Sequence, residues 1–180
     1  PICWAWAASP TSPTAAPTNP WAADFGGSMT MDYTTFRYHS DSNCGGVGKT
    51  IDIDNCTFNA SASTTQPGFG IEAGTTVASF TNNTISNSGG WGFINNANNV
   101  AFSSLTVSTG NTNGFQNPGT GVTVTSSVFT GGVTYDLQNS GSIEFRNCAF
   151  DASKVTQDGS AFILAKSWDK SSADTNSNRV

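Results

Sequence analysis

The chain has 180 residues, only 11% of them charged, and carries seven Lys and Arg against twelve Asp and Glu for a formal net charge of −5. Thr (24), Ser (23), Asn (18) and Gly (19) fill 84 positions, which excludes a charge-laced helical protein and a disordered polyelectrolyte. The acidic balance argues against a nucleic-acid partner, and no apolar run approaches the roughly 20 residues of a membrane-spanning helix.

Residues 1–22 are rich in Pro and Ala and carry Trp4, Trp6 and Trp21. They are expected to form an N-terminal arm or cap outside the regular domain, which is placed at 23–166. From Met29 onward one phrase recurs, running Met29–Phe36, Ile51–Phe58, Ala78–Ile85, Val100–Val107, Val122–Phe129 and Ile143–Phe150, with starts 22, 27, 22, 22 and 21 residues apart. Each copy reads apolar-x-apolar-x-polar-x-x-apolar. That pattern predicts a strand with two side chains on one face, a polar turn residue, and a second short strand.

Stacked copies align into columns. One holds Met29, Ile51, Ala78, Val100, Val122 and Ile143; the next holds Met31, Ile53, Phe80, Phe102, Val124 and Phe145; another holds Phe36, Phe58, Ile85, Val107, Phe129 and Phe150. The turn column is Tyr33, Asn55, Asn82, Ser104, Ser126 and Asn147, where side-chain amides are positioned to hydrogen-bond from coil to coil. A third strand per coil is expected at Ile71, Phe93 and Phe115, with a one-residue slip at Asp136 between Tyr135 and Leu137. Corners such as Gly89-Gly90 and Gly131-Gly132 separate the strands. After the sixth copy, Phe162-Ile163-Leu164 starts a strand but no further full phrase is read. Residues 167–180 are expected to be a polar tail anchored by Trp168.

A coil of about 22 residues with three short strands, repeated about six times and stacked every ~4.8 Å, is an all-β parallel solenoid. Over residues 23–165 the pattern resembles the right-handed parallel β-helix of the pectin-lyase-like superfamily. The resemblance implies the fold; that fold carries lyases, hydrolases, tailspikes, adhesins and structural proteins, so it implies no single activity.

Outward positions of the first strand are where this architecture can carry chemistry. They are Thr30, Asp52, Ser79, Ala101, Thr123 and Glu144 in one column, and Asp32, Asp54, Thr81, Ser103, Thr125 and Arg146 in the next. Asp32 and Asp54 should stack on adjacent coils with Asp52 one pleat away, a set of carboxylates suited to Ca²⁺; the alternative is a solvated acidic patch, and no other cofactor is indicated. Arg146 lies four coils, about 19 Å, from the Asp54 row, too far to share one substrate atom with it. The sole His39 reads as a surface residue. The outward columns mix Thr with Asp, Ala, Ser, Glu and Arg, so they lack the regular Thr lattice of an ice-binding face. An exposed Trp91 could stack on a sugar ring or fold over a corner of the core.

The four cysteines, Cys3, Cys44, Cys56 and Cys148, show no metal-binding spacing. Cys56 and Cys148 share a column four coils apart and should not be bonded. Cys3 with Cys44 is the candidate bridge, tying the arm to the first coil. The expectation is therefore a non-catalytic structural protein of the extracellular space or cell surface, either adhesive or partnered with itself head to tail as a filament through Trp4, Trp6 and Trp21 against Phe162, Ile163 and Leu164. The alternative is a polysaccharide-directed protein, lyase-like or glycan-binding, using the Asp32/Asp52/Asp54 face.

Overall fold

The computed structural model describes residues 21–25, 27–37, 39–59, 67–108, 111–157, 161–165 and 168–169; for 21–25, 37, 39–42, 152, 161–165 and 168–169 it describes the backbone alone. The strands come in threes. The first rung holds β1 (Trp21–Phe25), β2 (Met29–Asp32) and β3 (Thr35–Arg37), and the second β4 (His39–Cys44), β5 (Thr50–Asp54) and β6 (Thr57–Asn59). The third has β7 (Phe69–Ile71), β8 (Thr76–Thr81) and β9 (Thr84–Ser86), the fourth β10 (Trp91–Asn95), β11 (Ala101–Ser103) and β12 (Thr106–Val107). Then come β13 (Asn113–Asn117), β14 (Val122–Thr125) and β15 (Val128–Phe129), followed by β16 (Tyr135–Asn139), β17 (Ser142–Arg146) and β18 (Ala149–Phe150). A single 3-10 turn, Ala152–Lys154, leads into β19 (Val155–Gln157), β20 (Ala161–Ala165) and β21 (Trp168–Asp169).

Every third strand pairs, in parallel, and the result is three seven-stranded sheets. The chain is an all-β parallel solenoid with three strands per coil of about 22 residues. Sheet A holds β1, β4, β7, β10, β13, β16 and β19; sheet B starts at β2 and sheet C at β3. The last rung corrects the sequence reading. Phe162, Ile163 and Leu164 align with Ile143, Glu144 and Phe145, and Trp168 with Ala149, so this segment is a further copy of the phrase rather than a strand leading into a tail. Its start follows Ile143 by only 19 residues, shorter than the 21–27 between the other copies. At the other end Trp21 opens β1, inside the stretch expected to be an arm, while Trp4 and Trp6 lie outside the described residues.

The interior is a pile of rings. Ile53, Phe80, Phe102, Val124 and Phe145 are all 1% exposed or less, as one buried column. Phe93 meets four rings, Phe69, Phe80, Phe102 and Phe115, at centroid separations of 6.1, 5.3, 5.3 and 5.1 Å. Burying each such side chain is worth about 1.5–3 kcal/mol, and each ring pair adds about 0.5–1.5 kcal/mol.

Two columns differ from expectation, both around the one long interval. Ile51 lies opposite Val77 and Asp52 opposite Ser79, so Ala78 is the extra residue of a β-bulge and Val77 takes the core slot. On sheet A, Phe93 pairs with Phe69, and Ile71 with Asn95. The expected slip at Asp136 is present, since Phe115 aligns with Leu137.

Candidate functional site

The corner between sheets B and C is set by backbone conformation. Tyr33, Asn55, Asn82, Ser104, Ser126 and Asn147 all have positive φ, from 48° to 56°, the left-handed region that Asn tolerates best among residues with a side chain. The expected amide ladder forms where two Asn follow one another: Asn82 Nδ2 donates to Asn55 Oδ1 at 2.7 Å, and Asn55 Nδ2 donates to Asp32 Oδ1 at 2.8 Å.

The outward columns of sheet B stack in the expected order. Asp32 lies beside Asp54, Asp52 beside Thr30 and Ser79, and Glu144 beside Thr123. Several of their polar groups, however, are spent on one another. Asp54 accepts Ser79 Oγ at 2.7 and 2.9 Å on its two oxygens and the Thr81 backbone N–H at 2.7 Å, and Ser103 Oγ donates to Thr81 Oγ1 at 3.1 Å. Arg146 grips Glu144 through Nε and Nη2 at 2.7 and 3.0 Å, which lowers the Glu144 carboxyl and raises the guanidinium from their ordinary values. Among the described residues no group of three or more His, Cys, Asp or Glu is arranged to hold a metal. The carboxylates meant for Ca²⁺ are thus neighbours, but Asp54 already has two donors, the Ser79 hydroxyl and the Thr81 N–H.

The opposite corner, between sheets A and B, was not read from the sequence. Asn95, Asn117 and Asn139 form a buried ladder: Nδ2 of Asn95 donates to Asn117 Oδ1, that of Asn117 to Asn139 Oδ1, and that of Asn139 to Gln157 Oε1, at 2.8, 2.8 and 2.9 Å. Each Asn also donates to the carbonyl two residues on, at Ala97, Gly119 and Gly141. The signal was present as Asn-x-small at 95–97, 117–119 and 139–141, spaced by 22.

No family model, curated protein or solved structure matches this chain. Its chemistry has to be argued from its own residues.

Cys44, Cys56 and Cys148 are buried and in no disulfide, so Cys56 and Cys148 are not bonded to each other, and Cys3 lies outside the described residues. Burial pushes all three thiols up, Cys44 furthest, with Glu72 adding to it. Such thiols are poor nucleophiles. Asp136 is 1% exposed and accepts the backbone N–H groups of Gly132 and Asp151 at 2.9 and 3.1 Å. It follows Gly92 and Gly114 in their column; a Cβ on Gly114 would run into the Asp136 carbonyl, so Gly there keeps the rungs close.

A regular threonine column does exist, on sheet C rather than sheet B. Thr35, Thr57, Thr84 and Thr106 are in register, and Val128 continues them. Trp91 is half-buried and lies parallel to Tyr135, 6.3 Å between centroids with a 4° interplanar angle.

Proposed function

We propose that the chain is a non-catalytic structural solenoid that assembles head to tail. The observation carrying this reading is the strand polarity. All three sheets are parallel throughout, with β1, β2 and β3 at one edge and β19, β20 and β21 at the other. A second copy stacked on the last rung therefore meets strands of the same direction, and the ladder can continue across the junction without inversion. A heterologous contact of that kind does not close on itself and gives a filament. In this reading the segment around Trp4, Trp6 and Trp21 covers the rung of the next copy that contains Phe162, Ile163 and Leu164. The low charge and the Thr/Ser/Asn-rich surface suit a protein outside the cell.

Catalysis finds less support. Asp54 is held by Ser79 and Thr81, Asp32 by Asn55, and Glu144 by Arg146, and the resemblance to pectin-lyase-like β-helices rests on the coil alone. A lyase-like or Ca²⁺-dependent use of the Asp32/Asp52/Asp54 face would need Asp54 to give up Ser79 and Thr81.

Sedimentation velocity over a concentration series, with negative-stain microscopy, tests the assembly. Species growing with concentration and rod-like particles are expected, and deletion of residues 1–20 should abolish them while leaving the β-rich circular dichroism unchanged. A full-length chain that stays monomeric at high concentration overturns the proposal.

A further inference from the structure

On its fourth to sixth rungs, β10, β13 and β16, the outward columns of sheet A carry no charge, whereas those of sheet B carry Glu144 and Arg146. Trp91, Asn113 and Tyr135 occupy successive rungs of one outward column, and Ile94, Gln116 and Gln138 the adjacent one. All six are half-buried. The two aromatic rings are parallel although an entire rung separates their strands, so both lean over Asn113. Beneath them the Asn113 Oδ1 is shut off from solvent and accepts no hydrogen bond. An orphaned buried acceptor costs free energy that the fold does not recover. Beside the rings, Gln116 Nε2 donates to Gln138 Oε1 at 2.9 Å. That bond uses one of the two N–H donors on Gln116 and leaves the Gln138 N–H pair unused by it. Val133, 74% exposed, stands two residues before Tyr135 at the same corner.

We propose that this face binds a neutral polysaccharide. A pyranose ring offers an apolar C–H face and a rim of hydroxyls. The first suits the electron-rich faces of Trp91 and Tyr135, and the second suits side-chain amides, which both donate and accept. Two rings on alternate rungs present successive sugar units with successive platforms along the coil axis. A hydroxyl that enters beside the two rings supplies Asn113 Oδ1 with the donor it lacks. None of the six residues is charged, so the face itself offers an acidic polymer no cation, and Lys154 at its edge is turned onto the Gly132 carbonyl at 2.8 Å. The site lies on the side of the solenoid, so it is separate from the end-to-end contact proposed above, and each can fail without the other.

Native affinity electrophoresis with hydroxyethylcellulose, xylan and galactomannan, against polygalacturonate as the charged probe, tests this. At least one neutral polymer is expected to retard the full-length protein, and Trp91→Ala or Tyr135→Ala should weaken the retardation at least tenfold. Should those truncations disturb the fold, Gln138→Ala and Asn113→Ala serve instead. Asn113→Ala separates the ligand role from a structural one: it should lower the affinity while leaving Tm unchanged or higher. Retardation by none of the neutral polymers, by polygalacturonate alone, or equally in all four variants overturns the site. A deletion of residues 1–20 that blocks assembly should bind as before.

Discussion

Asparagine recurs at two corners of the solenoid, and the two use it for opposite reasons. Between sheets B and C, Asn55, Asn82 and Asn147 are chosen for the backbone: φ is positive, and their side chains are at least partly open to solvent. Between sheets A and B, Asn95, Asn117 and Asn139 are chosen for the side chain. They are 2% exposed or less, and each amide ties its own turn to the next coil. One residue type thus solves a conformational problem outside and a hydrogen-bonding problem inside. The inner amides are also the more demanding, because a buried polar group must find every partner in the protein.

Substitution by glycine should break the two corners unequally. Asn117→Gly removes the acceptor of Asn95 and a donor to Asn139 and Gly119, and chemical denaturation should report a loss of about 3 kcal/mol. Asn82→Gly keeps the left-handed turn and should cost under about 1 kcal/mol. The reverse signature comes from a β-branched residue: Asn82→Val should cost about 1–2 kcal/mol, because the backbone there must be left-handed whatever the side chain. If Asn82→Gly proved as costly as Asn117→Gly, the distinction would collapse.

Asp136 sharpens the point that buried polar groups are tied to their partners. Burial raises its carboxyl above the ordinary 3.8, opposed by the backbone N–H groups of Asp151 and Gly132 and by the Lys154 charge, with the Asp151 carboxylate adding to the rise. The folded protein therefore holds this proton more tightly than the unfolded chain does. The corresponding stability is fully present below the ordinary value and is lost as pH rises through the folded value. Melting curves taken below 3.8 and again near neutrality should differ more in the parent than in Asp136→Asn. The smallest effect is reserved for the exposed Glu144–Arg146 pair: Glu144→Gln should leave Tm unchanged within error at any salt concentration.

The inward columns were legible because apolar residues recur in phase, and Phe102, Val124 and Phe145 need no knowledge of the third dimension to be aligned. Ala78 was misplaced because a bulge adds one residue without changing the local pattern, which only the pairing of Ile51 with Val77 reveals; Ile71 stands two residues out of its column, and the bulge accounts for one of them. The Asn95 ladder was missed for another reason. A search for apolar periodicity assigns polar residues to the outside, and the three amides sit at a corner where the chain turns inward. The outward carboxylates were placed in the right columns, but their commitment to Ser79 and Thr81 depends on side-chain rotamers that spacing does not encode. The threonine column of sheet C was hidden by its strands of two or three residues, too short to display alternation.

The stacking of rung on rung makes this molecule a one-dimensional cooperative system. A coil touches the coil before it and the coil after it, so its free energy is a sum of intrinsic and nearest-neighbour terms. Opening a central coil breaks two interfaces, while opening a terminal one breaks only one. Amide protection should therefore form a gradient, highest in β10 to β15, where the phenylalanine stack and the asparagine ladder coincide, and falling toward both ends. A filament would abolish that gradient, because a coil at a junction would acquire the second neighbour that an isolated molecule denies it.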